Sequence, residues 1–94
     1  MVVISDTSIL TNLFQIGLLY LIGDIYGRVI IPTSVAQELL VLDNQKAILD
    51  QNWLEIVSVR DKSRVSDFMK SLHRGEAEAI ALALDYDEAS AANR

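Results

Sequence analysis

Val29-Ile30-Ile31-Pro32-Thr33-Ser34-Val35-Ala36-Gln37-Glu38-Leu39 passes from strand to helix in one step. Val29-Ile30-Ile31 is β-branched, apolar and brief, the pattern of a buried strand. Pro32 stops it, and Pro followed by Thr33-Ser34 is a strong helix start. Val35, Leu39 and Leu42 (i, i+4, i+7) form the helix's inner stripe. Glu38 falls on that stripe.

The same handover recurs on both sides of this stretch. Upstream, Val2 to Ser5 read as a short strand closed by Asp6. Thr7 and Ser8 are candidate N-caps for a helix carrying Ile9, Leu10, Leu13 and Phe14. Gly17 breaks it, and a second helix with Leu18, Leu19, Leu21, Ile22 and Ile25 ends at Gly27. Downstream, Lys46 to Gln51 looks helical and Trp53 to Val59 reads as a third strand. Ser63 is a candidate cap for a segment with Val65, Phe68, Met69 and Leu72. After the break at His73-Arg74-Gly75, a last helix is expected from Glu76 to Tyr86, with residues 87–94 as a frayed tail. Alternation of this kind predicts an α/β fold, a parallel sheet covered by helices. In such sheets ligands bind beyond the carboxyl ends of the strands.

The chain has 94 residues, which predicts a single domain over 1–94. An apolar share of 51% and a charged share of 22% fit a soluble globular protein. There is no cysteine and His73 is the only histidine, which argues against zinc and disulfides. No apolar run is long enough for a membrane span and no signal peptide is evident, so the cytoplasm is the expected location. The net charge of −5 argues against strong non-specific nucleic-acid binding. It leaves room for an acidic site whose bound cation inverts the local field.

Asp6, Glu38 and Glu76 stand where apolar residues would be expected. Each has a structural explanation: Asp6 as a helix cap, Glu38 at the edge of its stripe, Glu76 in the favourable first turn of a helix. Glu76, Ile80 and Ala83 share a face, which predicts that Glu76 looks inward. Glu78 is expected to be solvated or paired with a base such as Arg74. Taken together, the acids say more. Two carboxylates ~4 Å apart repel by roughly 4 kcal/mol at an effective dielectric of about 20. A gathered set must bind a proton or a cation. Oxygen ligands without Cys or His select hard ions, Mg²⁺ or Mn²⁺, which activate water for attack at phosphorus.

Three stretches carry a resemblance: Val3-Ile4-Ser5-Asp6-Thr7-Ser8, Ile30 to Leu39, and Leu72-His73-Arg74-Gly75-Glu76-Ala77-Glu78-Ala79-Ile80-Ala81-Leu82-Ala83. In this order and spacing they resemble the PIN-domain family, metal-dependent ribonucleases that include many VapC-type toxins. The resemblance implies a three-layer α/β/α fold with a short parallel sheet. It implies that Asp6, Glu38 and Glu76 hold Mg²⁺ or Mn²⁺ and carry catalysis. Thr7 or Ser8 matches the hydroxyl position beside the first acid, and Asn12 a polar position on the first helix. RNA substrate and a cognate antitoxin are the implied partners. The family usually continues into another strand ending in a fourth acid. Asp85, Asp87 and Glu88 come too early to be that acid, and no apolar strand precedes them. The expectation is a fold missing its C-terminal strand or strands, with the exposed edge covered in a homodimer or by a partner.

Two functions follow from this reading. One is a Mg²⁺- or Mn²⁺-dependent endoribonuclease; the other is an inactive truncated remnant serving as a binding or dimerisation module. Phosphoryl transfer through an aspartyl intermediate fits poorly, because Asp6-Thr7-Ser8 has no second acid two residues on. Lys62, Arg64, Lys70 and Arg74 form either a solvated face or a phosphate-contact strip, with Arg74 the best contact candidate.

Overall fold

Strand β2 (Val29–Pro32) has no solvent-exposed residue. It lies between β1 (Val3–Ile4) and β3 (Leu54–Val57) in a three-stranded parallel sheet of order β1-β2-β3. Val29 pairs with Val3 on one side and Leu54 on the other; Ile30 pairs with Ile4 and Glu55. The computed structural model describes residues 3–42 and 46–92. Its helices are α1 (Thr7–Gln15), α2 (Tyr20–Tyr26), α3 (Thr33–Val41), α4 (Lys62–Phe68) and α5 (Arg74–Ala92), with a 3-10 turn at Lys46–Asp50.

Successive strand side chains point to opposite faces, so β2 feeds two cores. Val29 and Ile31 join Leu10, Ile22, Val35, Leu39 and Ile48 on the side of α1, α2 and α3. Ile30 joins Val65, Ala77, Ala81 and Leu82 on the side of α4 and α5. This is the three-layer α/β/α arrangement expected from the sequence. A parallel strand covered on both faces has to be apolar throughout, and β2 is. Among the described residues, no helix is long and apolar enough to cross a membrane.

Several local boundaries differ from the sequence reading. Of the caps the sequence offers for α1, Asp6 makes the bond and Thr7 and Ser8 do not: Asp6 Oδ1 accepts the Ile9 N–H at 3.2 Å. Asp61, not Ser63, caps α4 by accepting the Arg64 N–H at 3.1 Å. The Ser63 hydroxyl donates to the same Asp61 oxygen at 2.7 Å. That bond, and then the Arg64 N–H, holds the Asp61 carboxyl below its ordinary range. Its contribution to stability is therefore present above the ordinary carboxylate pKa and fades as pH falls through the lowered value.

Leu42, placed on the inner stripe, is exposed just past the end of α3. Helix α5 continues to Ala92, so residues 87–92 are helical where the sequence reading expects a frayed tail. Alanine and glutamate are strong helix formers. Arg64 Nη2 also donates to Glu88 Oε1 at 2.7 Å, tying the extension to α4. Val2 and residues 93–94 lie outside the described residues.

Gly23 lets α2 approach the indole of Trp53, which packs against the first core. A Cβ there would fall 2.5 Å from Trp53 Nε1 and 2.7 Å from Cγ. Gly23→Ala is therefore expected to lower the urea midpoint. The roughly 1–3 kcal/mol cost of overpacking outweighs the ~1 kcal/mol gain in helix propensity.

Candidate active site

The segment leaving β1 and the helices α1, α3 and α5 build one cleft of about 360 Å³. It is lined by Asp6, Thr7, Ser8, Glu38, His73, Gly75 and Glu76. Asp6 arrives directly from β1, whose pairing is prolonged by the Ser5 N–H donating to Ile30 O at 3.0 Å. Thr7 and Ser8 open α1, Glu38 comes from α3, and Gly75 and Glu76 from the first turn of α5. The residues the sequence singles out as acids, far apart in the chain, thus share one cavity wall.

Each acid is held through one oxygen. Asp6 Oδ1 caps α1 at Ile9. Glu38 Oε2 accepts the Thr7 hydroxyl at 2.6 Å, a bond across 31 residues that joins α1 to α3. Glu76 Oε1 accepts the His73 N–H at 3.4 Å, half of a capping box at the start of α5. Asp6 Oδ2, Glu38 Oε1 and Glu76 Oε2 have no hydrogen-bond partner among the described residues. None of these acids is paired with Lys or Arg among the described residues.

As a donor set, three carboxylates beside two hydroxyls suit a hard divalent cation. Among the described residues, no group of three or more His, Cys, Asp or Glu is gathered to hold a metal ion. The side chains share a wall while one oxygen of each serves a bond within the fold.

The helical phase of α5 differs from the expectation. Glu76 and Ile80 are exposed, whereas Ala77, Glu78, Ala81, Leu82 and Asp85 are buried. Glu78, expected to be solvated or paired, is both buried and bonded to Arg74 Nε at 3.1 Å. The near-continuous apolar run from Ala79 to Leu84 has too little periodicity to set a phase. Glu38 is exposed, at the edge of its stripe.

Of the substrate-binding candidates, Thr7 and Ser8 line the cleft. Asn12 is exposed one turn beyond Ser8 and is not part of the lining. Arg74 adjoins Gly75 but engages Glu78. Within the basic cluster, the half-buried Arg64 pairs with Asp61 and Glu88, and the exposed Lys70 with Asp67, which commits both to local carboxylates rather than to a phosphate strip.

His73 and Gly75 are cleft residues that the sequence reading leaves in a plain break. A Gly beside the Glu of a helix start is the signal that points to them. Gly75 is buried, and a Cβ there would sit 3.3 Å from Glu38 Oε1 and 3.6 Å from Val35 Cγ2. Asp85, too early for a fourth acid, instead accepts the Arg60 N–H at 2.8 Å and anchors α5 to the segment after β3.

Two substitutions separate structural from functional roles. Asp6→Asn keeps a capping oxygen and should change stability by only a few tenths of a kcal/mol, while Asp6→Ala should cost about 1 kcal/mol. Were the cleft to hold a divalent cation, both should abolish Mn²⁺ binding in calorimetry. Gly75→Ala should hold or raise stability, by up to ~1 kcal/mol. It crowds Glu38 Oε1 and, were Glu38 to hold a cation, should weaken Mn²⁺ binding about tenfold, the low end for disturbing a residue that supports a metal ligand.

No curated protein and no solved structure matches the chain. A family model described as a PIN domain (DUF3368) matches residues 2–91, nearly the whole sequence. Its span takes in all three strands and the cleft beyond them, and the chain belongs to the PIN-domain family.

Proposed function

We propose that this chain is a metal-dependent ribonuclease, with Asp6, Glu38 and Glu76 holding Mg²⁺ or Mn²⁺ over an RNA phosphodiester. The observation that carries the reading is one cleft lined by these acids at the carboxyl edge of a parallel sheet, in a chain of a family with a nuclease-type fold. The bound ion would polarise the phosphodiester and offset its charge.

The chain's own groups do the rest. The Thr7 hydroxyl donates to Glu38 Oε2 and leaves that carboxylate's other oxygen for the ion. Ser8, at the first turn of α1, offers a hydroxyl to a phosphate oxygen. A carboxylate oxygen outside the ion's shell accepts the proton of the attacking water. The acidic net charge of −5 means that RNA is held through the loaded site rather than by a basic surface. The resemblance adds a toxin role, with a cognate antitoxin and a homodimer as partners.

A second reading has its own support. Each of the three acids already serves the fold: Asp6 caps α1, Glu38 joins α1 to α3, and Glu76 forms half of a capping box. On that reading the chain is an inactive binding or dimerisation module.

Purified protein with Mn²⁺ and single-stranded RNA distinguishes the two. The nuclease reading expects cleavage that falls roughly a hundredfold or more in Asp6→Asn and Glu76→Gln, the scale for losing one preorganised electrostatic group. Equal, background-level products from parent and variants would establish the inactive module.

A further inference from the structure

Helix α3 begins without a cap of its own. Its N-cap residue is Pro32, which has neither an N–H nor a polar side chain, and no side-chain cap bond is made there. The unsatisfied N–H groups of a first turn need an acceptor, the more so when buried. Ser34 is buried, and its N–H donates to Glu78 Oε1 at 3.2 Å, from a residue 44 positions away on α5. The Ser34 hydroxyl is also buried and has no partner among the described residues. The Ser34 N–H therefore finds its acceptor on another element, in Glu78 of α5.

Glu78 is itself only 7% exposed. Its charge sits at the positive end of α3, where an anion is favoured. Its second oxygen takes the Arg74 Nε at 3.1 Å, within the first turns of α5. One buried carboxylate thus bonds the start of α3 and the start of α5. Those are the helices that carry Glu38 and Glu76, and Gly75 brings them close.

We propose that Glu78 is a positioning residue for the cleft: by capping α3 from α5 it fixes Glu38 against Glu76. Its part in metal binding rests on the nuclease reading above, whereas the capping itself does not. Glu78 is not among the residues lining the cleft, so it acts through the helices rather than as a ligand.

The test compares the parent chain with Glu78→Gln, Glu78→Ala and Glu78→Asp. Amide exchange at Ser34 and amide shifts at Glu38 and Gly75 are followed by NMR without metal, and Mn²⁺ affinity by calorimetry. Glutamine keeps an oxygen in reach of Ser34 and is expected to leave Ser34 protected and Mn²⁺ binding close to the parent's. Alanine, and aspartate with one methylene fewer, should expose Ser34 to exchange and move the Glu38 and Gly75 signals. They should also weaken Mn²⁺ about tenfold, as for other residues that orient metal ligands.

If Glu78→Ala does not fold, the Asp variant carries the comparison. Folded Ala and Asp variants with unchanged Ser34 exchange and unchanged Glu38 and Gly75 signals would overturn the proposal. So would loss of Mn²⁺ binding in Glu78→Gln with Ser34 still protected, which would make Glu78 a ligand. A parent that binds no Mn²⁺, with Ala and Asp variants that still show the exchange and shift pattern, would sink the nuclease reading and leave the positioning role standing.

Discussion

The structure depends on a strand that water cannot reach from either face. Burying Val29, Ile30 and Ile31 obliges one helical layer to cover each side of β2, and the neighbouring strands to complete its hydrogen bonds. With the strands parallel, their carboxyl ends lie along one edge. Every chain segment leaving that edge starts near the same place. Asp6 follows β1 and α3 follows β2 immediately, so the positions of Asp6 and Glu38 are consequences of the sheet. Only Glu76 has to be brought in from elsewhere, by α5 crossing over the second core.

That difference explains where the polar ties are. The α1–α3 side is bridged by the Thr7–Glu38 bond, and the α3–α5 side by Glu78 reaching Ser34. An acidic pocket is electrostatically costly unless its charges are shared with donors or a cation. Here each of the three acids accepts one donor, local for Asp6 and Glu76 and from another helix for Glu38, and leaves its second oxygen uncommitted among the described residues. Structural and functional readings of the same carboxylates are therefore compatible. Capping turns a flexible acid into one with a fixed direction.

Much of this is legible in the sequence because short β-branched runs and helical stripes have distinct periods. Val29 to Ile31, the proline after them and the stripe at Val35 and Leu39 suffice for the layer order. The acids are legible as interruptions of those patterns. What escapes is phase and long-range capping. Helix α5 is apolar almost all round between Ala79 and Leu84, so nothing in its spacing says that Glu78 rather than Glu76 turns inward. Pro32 read as a helix start conceals that α3 lacks a local cap, since the supplier sits on another element. Gly75 reads as a break because a close approach to Glu38 is invisible without the neighbouring helix.

The central proposal is that Asp6, Glu38 and Glu76 line one cation-binding cleft. Titrating Mn²⁺ into isotopically labelled protein tests it directly, because a paramagnetic ion broadens the amide signals around it. Signals of Asp6, Thr7, Glu38, Gly75 and Glu76 are expected to disappear together at sub-stoichiometric Mn²⁺. Broadening confined to one of these segments, or centred on the acids near Asp85 and Glu88, would contradict the claim.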